Sequence, residues 1–162
     1  MGNILVRSAL VVAAGASLPF TLVGCASNPR PTIVQGGGST FGPGAATSSG
    51  AVEGFLRAAQ GNDPRAMSGY FGTRAGPTTT RDPAADVEKR MIALACYLQH
   101  DAARVLGDVP GVATAGDRTV TVELRQRELV RQTRFTVVPG PGGRWFVQAF
   151  DIDAVSDLCR PR

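Results

Sequence analysis

Few residues in this chain are equipped for chemistry. It holds three cysteines, Cys25, Cys96 and Cys159, a single histidine, His100, and two tyrosines, Tyr70 and Tyr97. A metal centre needs several ligands at short, regular spacing, and the sequence has neither a Cys-x-x-Cys pair nor a His-Glu-x-x-His run. A nucleophile elbow and a phosphate-cradling glycine loop are also missing from it. The expectation is therefore a protein with no metal and no cofactor. What remains is thiol chemistry at three positions, with carboxylates such as Asp151 and Asp153 near the C-terminus.

The first thiol sits in a distinctive context. Met1 to Arg7 carries one positive side chain, and Ser8 to Gly24 is uncharged and largely apolar, broken by Pro19. A spanning helix needs about 20 apolar residues, so this run reads as the hydrophobic region of a secretory signal. It ends in Leu22-Val23-Gly24-Cys25, which resembles the bacterial lipobox. In that motif, small residues before the cut let the chain lie extended in a peptidase cleft, and the resemblance implies that the Cys25 thiol takes up diacylglycerol. Each buried acyl CH₂ adds about 0.8 kcal/mol, so several chains, palmitate among them, hold a protein firmly. The resemblance implies that residues 1–24 are a signal peptide and that Cys25 anchors a cell-envelope lipoprotein in a membrane. Ala26 stands where inner-membrane retention would call for Asp, which implies the periplasmic side of an outer membrane in a Gram-negative cell. Two other readings exist. Cleavage elsewhere would leave Cys25 incidental, and Met1-Gly2 invites myristoylation, against which the apolar run from Leu5 argues.

Export bears on the other two thiols. In an oxidising compartment Cys96 and Cys159 would persist as a disulfide, pinning the tail to a helix. The alternative is Cys96 as a small core residue and Cys159 as a free thiol near the chain end.

Residues 25–50 are dominated by Gly, Ser, Thr, Pro and Ala, with Ile33, Val34 and Phe41 as the only sizeable apolar side chains. Such a segment buries too little surface to offset its ordering entropy, so it reads as a linker with an average reach of about 25–30 Å. The whole chain has 162 residues, 43% hydrophobic and 19% charged, with a formal net charge of +4. That leaves residues 51–162 for one domain. Lys89 is the only lysine. The arginine excess follows a composition rich in Ala, Gly, Val and Pro rather than a basic stripe with interleaved aromatics, so nucleic-acid binding is not expected.

From Ala51 the pattern turns periodic. Val52, Phe55, Leu56 and Ala59 form one helical face, with Ser48, Ser49 or Gly50 as N-cap and Gly61 as stop. Asp63-Pro64 starts a second, short helix carrying Met67, Tyr70 and Phe71. Ala75–Arg81 is turn-rich, a loop or short edge strand. Asp82-Pro83 repeats the start signal for a longer helix with Val87, Met91, Leu94 and Leu98 on one face, running to about His100. The period then becomes two. Strands are expected near Ala103–Val109, around Val120–Leu124, over Val130–Val138 and over Arg144–Ile152, the last two joined by a turn at Pro139–Gly143. Helices first and an antiparallel meander after them predict an α+β fold: three N-terminal helices packed on a curved antiparallel sheet of about four strands.

Ala51-Val-Glu-Gly-Phe-Leu-Arg-Ala-Ala-Gln-Gly-Asn-Asp-Pro-Arg-Ala-Met followed by Tyr70-Phe71 resembles the opening of the nuclear transport factor 2-like (SnoaL-like) superfamily. Gly142-Gly-Arg-Trp-Phe-Val147 is similar to the last strand of its secreted members. The resemblance spans Ala51 to about Ile152. It implies a sheet wrapped around a long helix as a cone with a pocket at its open end. Superfamily enzymes use carboxylate, Tyr and His groups in that pocket, and neither of their usual arrangements maps onto this chain. The expectation is a non-catalytic domain that binds a small apolar ligand or an envelope protein. One alternative is an isomerase or dehydratase using Asp151 or Asp153 with His100, Tyr70 or Tyr97. Another is an envelope-assembly accessory meeting an anionic partner through Arg125, Arg127, Arg131 and Arg134. Oligomeric state is not legible.

Overall fold

The computed structural model describes residues 44–112, 114 and 116–159. The expected signal peptide, Cys25 and most of the expected linker lie outside the described residues.

Helix α1 (Ser48–Gln60) turns the apolar spacing into one buried face comprising Ala51, Val52, Phe55, Leu56, Ala58 and Ala59. Its N-cap is Thr47, whose hydroxyl accepts from Gly50 N at 3.0 Å. None of the three expected caps serves, because Ser48 and Ser49 turn their hydroxyls to Asp108 instead. The fold therefore starts earlier than Ala51: Gly44–Gly50, expected as linker, belong to it. Gly61 closes the helix with ordinary φ, and Asn62 takes the left-handed conformation (φ 49) that Asn tolerates.

Helix α2 (Pro64–Tyr70) follows the expected start, with Asp63 accepting from Ala66 N at 2.9 Å and Pro64 opening the helix. It crosses α1 at Gly54, where a Cβ would sit 2.4 Å from the Tyr70 ring. Only glycine permits that approach. Phe71 leads into a small hairpin, β1 (Gly72–Thr73) with β2 (Gly76–Pro77). Helix α3 (Ala84–Tyr97) starts without a side-chain cap. Asp82 forms an ion pair with Arg90 at 3.0 Å rather than capping.

Four antiparallel strands then form a sheet in the order β3 (Ala102–Pro110), β4 (Arg118–Gln126), β5 (Leu129–Pro139), β6 (Trp145–Phe150). The class is α+β, with a four-stranded antiparallel sheet and a separate two-stranded one. Alternation puts Val120, Val122 and Leu124 of β4 with Phe135 and Val137 of β5 on one face, under α1. The far edge of β6 is closed in two steps. Ala45 bridges Trp145 antiparallel, and Phe71 bridges Val147 in parallel. The opposite edge, β3, has no neighbouring strand among the described residues. It carries a bulge between Val105 and Gly107 and ends in Pro110, features that discourage edge pairing.

A 3₁₀ segment, Asp153–Cys159, ends the described chain. Val155 and Leu158 enter the core at 0% and 2% exposure, and Cys159 forms a disulfide with Cys96 of α3. The expected bridge is present. Arg131 of β5 holds the segment from a second side through Asp157.

Candidate functional site

The face of the sheet that α1 covers, where the expected pocket would lie, is occupied by side chains. Phe55, Met67, Met91, Leu98 and Phe135 are fully buried there, and Phe55 stacks on Phe71 at 5.7 Å between centroids. Among the described residues no buried side-chain polar atom lacks a hydrogen-bond partner. Open space lies at the periphery instead.

The cleft richest in ionisable groups, about 360 Å³, runs between α1 and the uncovered strand β3. Helix α1 packs chiefly against β6 and β5 and more lightly against β3 and β4, and the cleft lies on the lightly packed side. Its floor is apolar: Leu56 from α1, Val122 from β4, and Ala103 and Val105 from β3. Its wall is the polar stripe of α1, with Glu53, Arg57 and Gln60 at helical spacing. His100 and Asp101 form the end. Gln60 Nε2 donates to the Asp101 carbonyl at 3.1 Å, fastening the end of α1 to the corner between α3 and β3. Asp101 in turn accepts from Arg127 N at 2.6 Å, which fixes the β4–β5 turn.

The side chains of Glu53 and Arg57 have no hydrogen-bond or ion-pair partner among the described residues. His100 Nδ1 lies 2.7 Å from the Leu98 carbonyl, which only accepts, so Nδ1 carries the hydrogen and Nε2 is the remaining polar ring atom. The arrangement has an apolar floor, unpaired charges of both signs on the wall, and one imidazole nitrogen. It suits an amphipathic small molecule, and its volume sits at the low end of ligand pockets.

Two carboxylates elsewhere serve the fold. Asp108 of β3 accepts from Ser48, from Ser49 at 2.9 Å and from Arg118 Nε at 2.7 Å. Helix α1 has no acidic residue in its first turn, and Asp108 supplies that charge across space. Partial burial pushes its carboxyl up, but the hydrogen bonds from Ser48, Arg118 and Ser49, with the Arg118 charge, outweigh it and hold the carboxyl below the ordinary aspartate range. On the other face of the sheet, the Arg125 hydrogen bond holds Glu123 below its usual range against the opposing effect of desolvation, with help from the Arg125 and Arg104 charges.

The remaining sequence candidates are dispersed. Asp151 lies 3.6 Å from Arg134 and caps Ala154 N, and Asp153 opens the 3₁₀ segment. Neither lines the cleft that holds His100. Tyr70 and Tyr97 pack against the core. The four arginines do not share a face. By register Arg125 and Arg134 project from the face away from α1, Arg131 projects to the core side and pairs with Asp157, and Arg127 sits in the turn at φ 55. Among the described residues no cluster of three or more His, Cys, Asp or Glu could hold a metal, and no helix is long and apolar enough to cross a membrane.

Sequence reasoning missed Glu53 and Arg57. Their i, i+4 spacing was visible, but a solvated helix face has the same spacing. Set against known proteins, the chain matches no family model, no curated protein and no solved structure.

Proposed function

We propose that this is a lipid-anchored cell-envelope protein whose nuclear transport factor 2-like domain is a non-catalytic binding module. The observation that carries the reading is the filled interior. An enzyme of the isomerase or dehydratase type needs at least two ionisable groups converging in a deep, water-poor pocket. Here the equivalent volume holds Phe55, Met67, Met91 and Phe135 at zero exposure. The superfamily resemblance draws support from topology. The bridge between Phe71 and Val147 sets the small hairpin beside β6, giving the spatial succession β2, β1, β6, β5, β4, β3.

The ligand-binding surface in this reading is the cleft between α1 and β3. An apolar body rests on Leu56, Val105 and Val122, and a polar head meets Arg57, Glu53 or His100. Native mass spectrometry of the envelope-extracted protein tests it. A retained small molecule, lost from a Val105→Trp variant that fills the cleft, is the expected result. Protein that carries nothing, and binds no amphipathic probe that the variant excludes, would overturn the assignment of the cleft. Labelling with an alkyne palmitate analogue, lost on Cys25→Ser, tests the anchor separately.

A further inference from the structure

Helix α1 and strand β3 run side by side in opposite directions. Ser48 and Ser49, at the start of α1, donate to Asp108 near the end of β3. Gln60, the last residue of α1, donates to the Asp101 carbonyl just before β3 begins. These ties bound a groove between helix and strand, and the cleft of about 360 Å³ lies between them. Its strand side comprises Ala102, Ala103, Arg104 and Val105. Neighbouring side chains on a strand point to opposite faces, so a space touching four consecutive residues lies along the strand's open edge. A second space, about 270 Å³, meets Ala102, Ala103 and Arg104 again beside Glu123 and Arg125, on the face away from α1. Open volume therefore wraps this edge from both faces.

The edge itself is a row of backbone groups. Among the described residues no strand pairs with β3 on this side. In an antiparallel ladder every second residue turns its N–H and C=O away from the partner strand. The regular run of residues 102–105 thus directs two donors and two acceptors toward the open edge. On the helix wall stand Glu53 and Arg57, whose side chains have no partner among the described residues. They lie about one helical turn apart, about 6 Å, close to the roughly 6.7 Å at which an extended chain repeats the groups on one side. An acceptor and a donor at that interval match the amide groups of such a chain. Leu56 and Val122 floor the cleft for its alternate side chains. An alkyl chain would fill the floor but leave the polar edge without partners, whereas a peptide satisfies both.

We propose that this groove binds a short peptide in extended conformation, added as a strand to the β3 edge with an apolar side chain resting on Leu56 and Val122. The inference rests on the reading of this cleft as the ligand site and names the class of its ligand. The bulge after Val105 limits the regular edge to about four residues, or about 13 Å. So short an edge does not hold a strand through its backbone alone, and the floor and the helix wall supply the remainder. The groove therefore favours a short peptide with a fitting side chain over the edge of another sheet.

Titration of the nitrogen-15-labelled, oxidised protein with end-blocked Ala-Val-Ala-Val tests this. Saturable shifts of the backbone amides of residues 102–105, with slowed hydrogen exchange there, are expected. N-methylation of alternate peptide amides should weaken binding about tenfold in the phase that faces β3 and less in the other phase. Val105→Trp should abolish binding with the melting temperature unchanged. The N-methyl series alters only the ligand, so it decides the matter even where V105W fails to fold. Absence of the shifts, or equal weakening in both phases, would overturn the proposal. Concentration-dependent association through β3 in place of peptide binding would assign the edge to a second copy and overturn it as well. Decanoate, titrated alongside, separates this failure from that of the ligand-site reading. Decanoate bound in the cleft without peptide binding refutes the peptide alone, and a cleft that takes neither refutes both.

Discussion

Removing the disulfide tests the fold's closure most directly. Cys96 and Cys159 are 63 residues apart in sequence, and joining them restricts the unfolded chain far more than the folded one. The loop-closure entropy for a separation of that size corresponds to about 4 kcal/mol at 25 °C. A domain of this length loses roughly 4 °C of melting temperature per kcal/mol, so Cys96→Ser with Cys159→Ser should melt about 15 °C lower. The Asp153–Cys159 segment has other holds, since Val155 and Leu158 are buried and Arg131 engages Asp157. It should therefore stay docked, and the urea m-value should not fall; it should rise as the unfolded chain, freed of the cross-link, exposes more surface. Circular dichroism melts and urea titrations of the oxidised protein and the double variant give both numbers. A drop below about 4 °C would refute the reasoning, because the bridge would then restrict an unfolded chain that is already compact. A large drop with a smaller m-value would refute the second half, showing that the segment needs the covalent bond to remain folded.

Other consequences follow from named contacts. Gly54→Ala would stabilise an ordinary helix by about 1 kcal/mol, but here the new methyl meets the Tyr70 ring, so denaturant midpoints should fall, and Gly54→Ala combined with Tyr70→Ala should recover part of the loss. Asp108→Asn should cost about 1–2 kcal/mol at neutral pH, through the Ser48, Ser49 and Arg118 hydrogen bonds of a group that solvent partly reaches. Its folded-state carboxyl titrates below its unfolded value, so its contribution is complete above about pH 4 and disappears as pH falls through the lower folded value. Stability measured from pH 7 down to pH 2 should therefore flatten in the variant, and an unchanged acid limb would count against the assignment. Leu158→Ala should destabilise by about 2–5 kcal/mol as a core truncation, and a surface-like loss under 0.5 kcal/mol would show that the C-terminal segment is not part of the core.

The elements were legible where a residue's local role and its tertiary role agree. Asp63-Pro64 caps α2 as its sequence says, because nothing distant competes for the Asp63 carboxylate. Ser48 and Ser49 have equally good capping side chains, but Asp108, some 60 residues on, takes both hydroxyls and leaves the cap to Thr47. Asp82 was drawn off in the same way by Arg90. Alternation placed the strands, and hence the face that each arginine occupies. Whether those arginines gather was a matter of register and ion pairs, which a run such as Arg125, Arg127, Arg131 and Arg134 does not encode. The cleft is a further step removed. It arises from how far α1 reaches across the sheet, a packing outcome shared among Leu56, Val105 and Val122.

The unequal treatment of the two sheet edges bears on solubility. Ala45 and Phe71 occupy the β6 side, so among the described residues the open edge of the four-stranded sheet is β3. There the bulge at Leu106 breaks the repeat of free backbone groups after Ala102–Val105, and Pro110 lacks a donor. An arriving strand finds about four residues of regular edge, less than most strands need. Deleting Leu106 would lengthen that edge and bring the chain closer to fibrous self-assembly, even with every buried contact of the core intact.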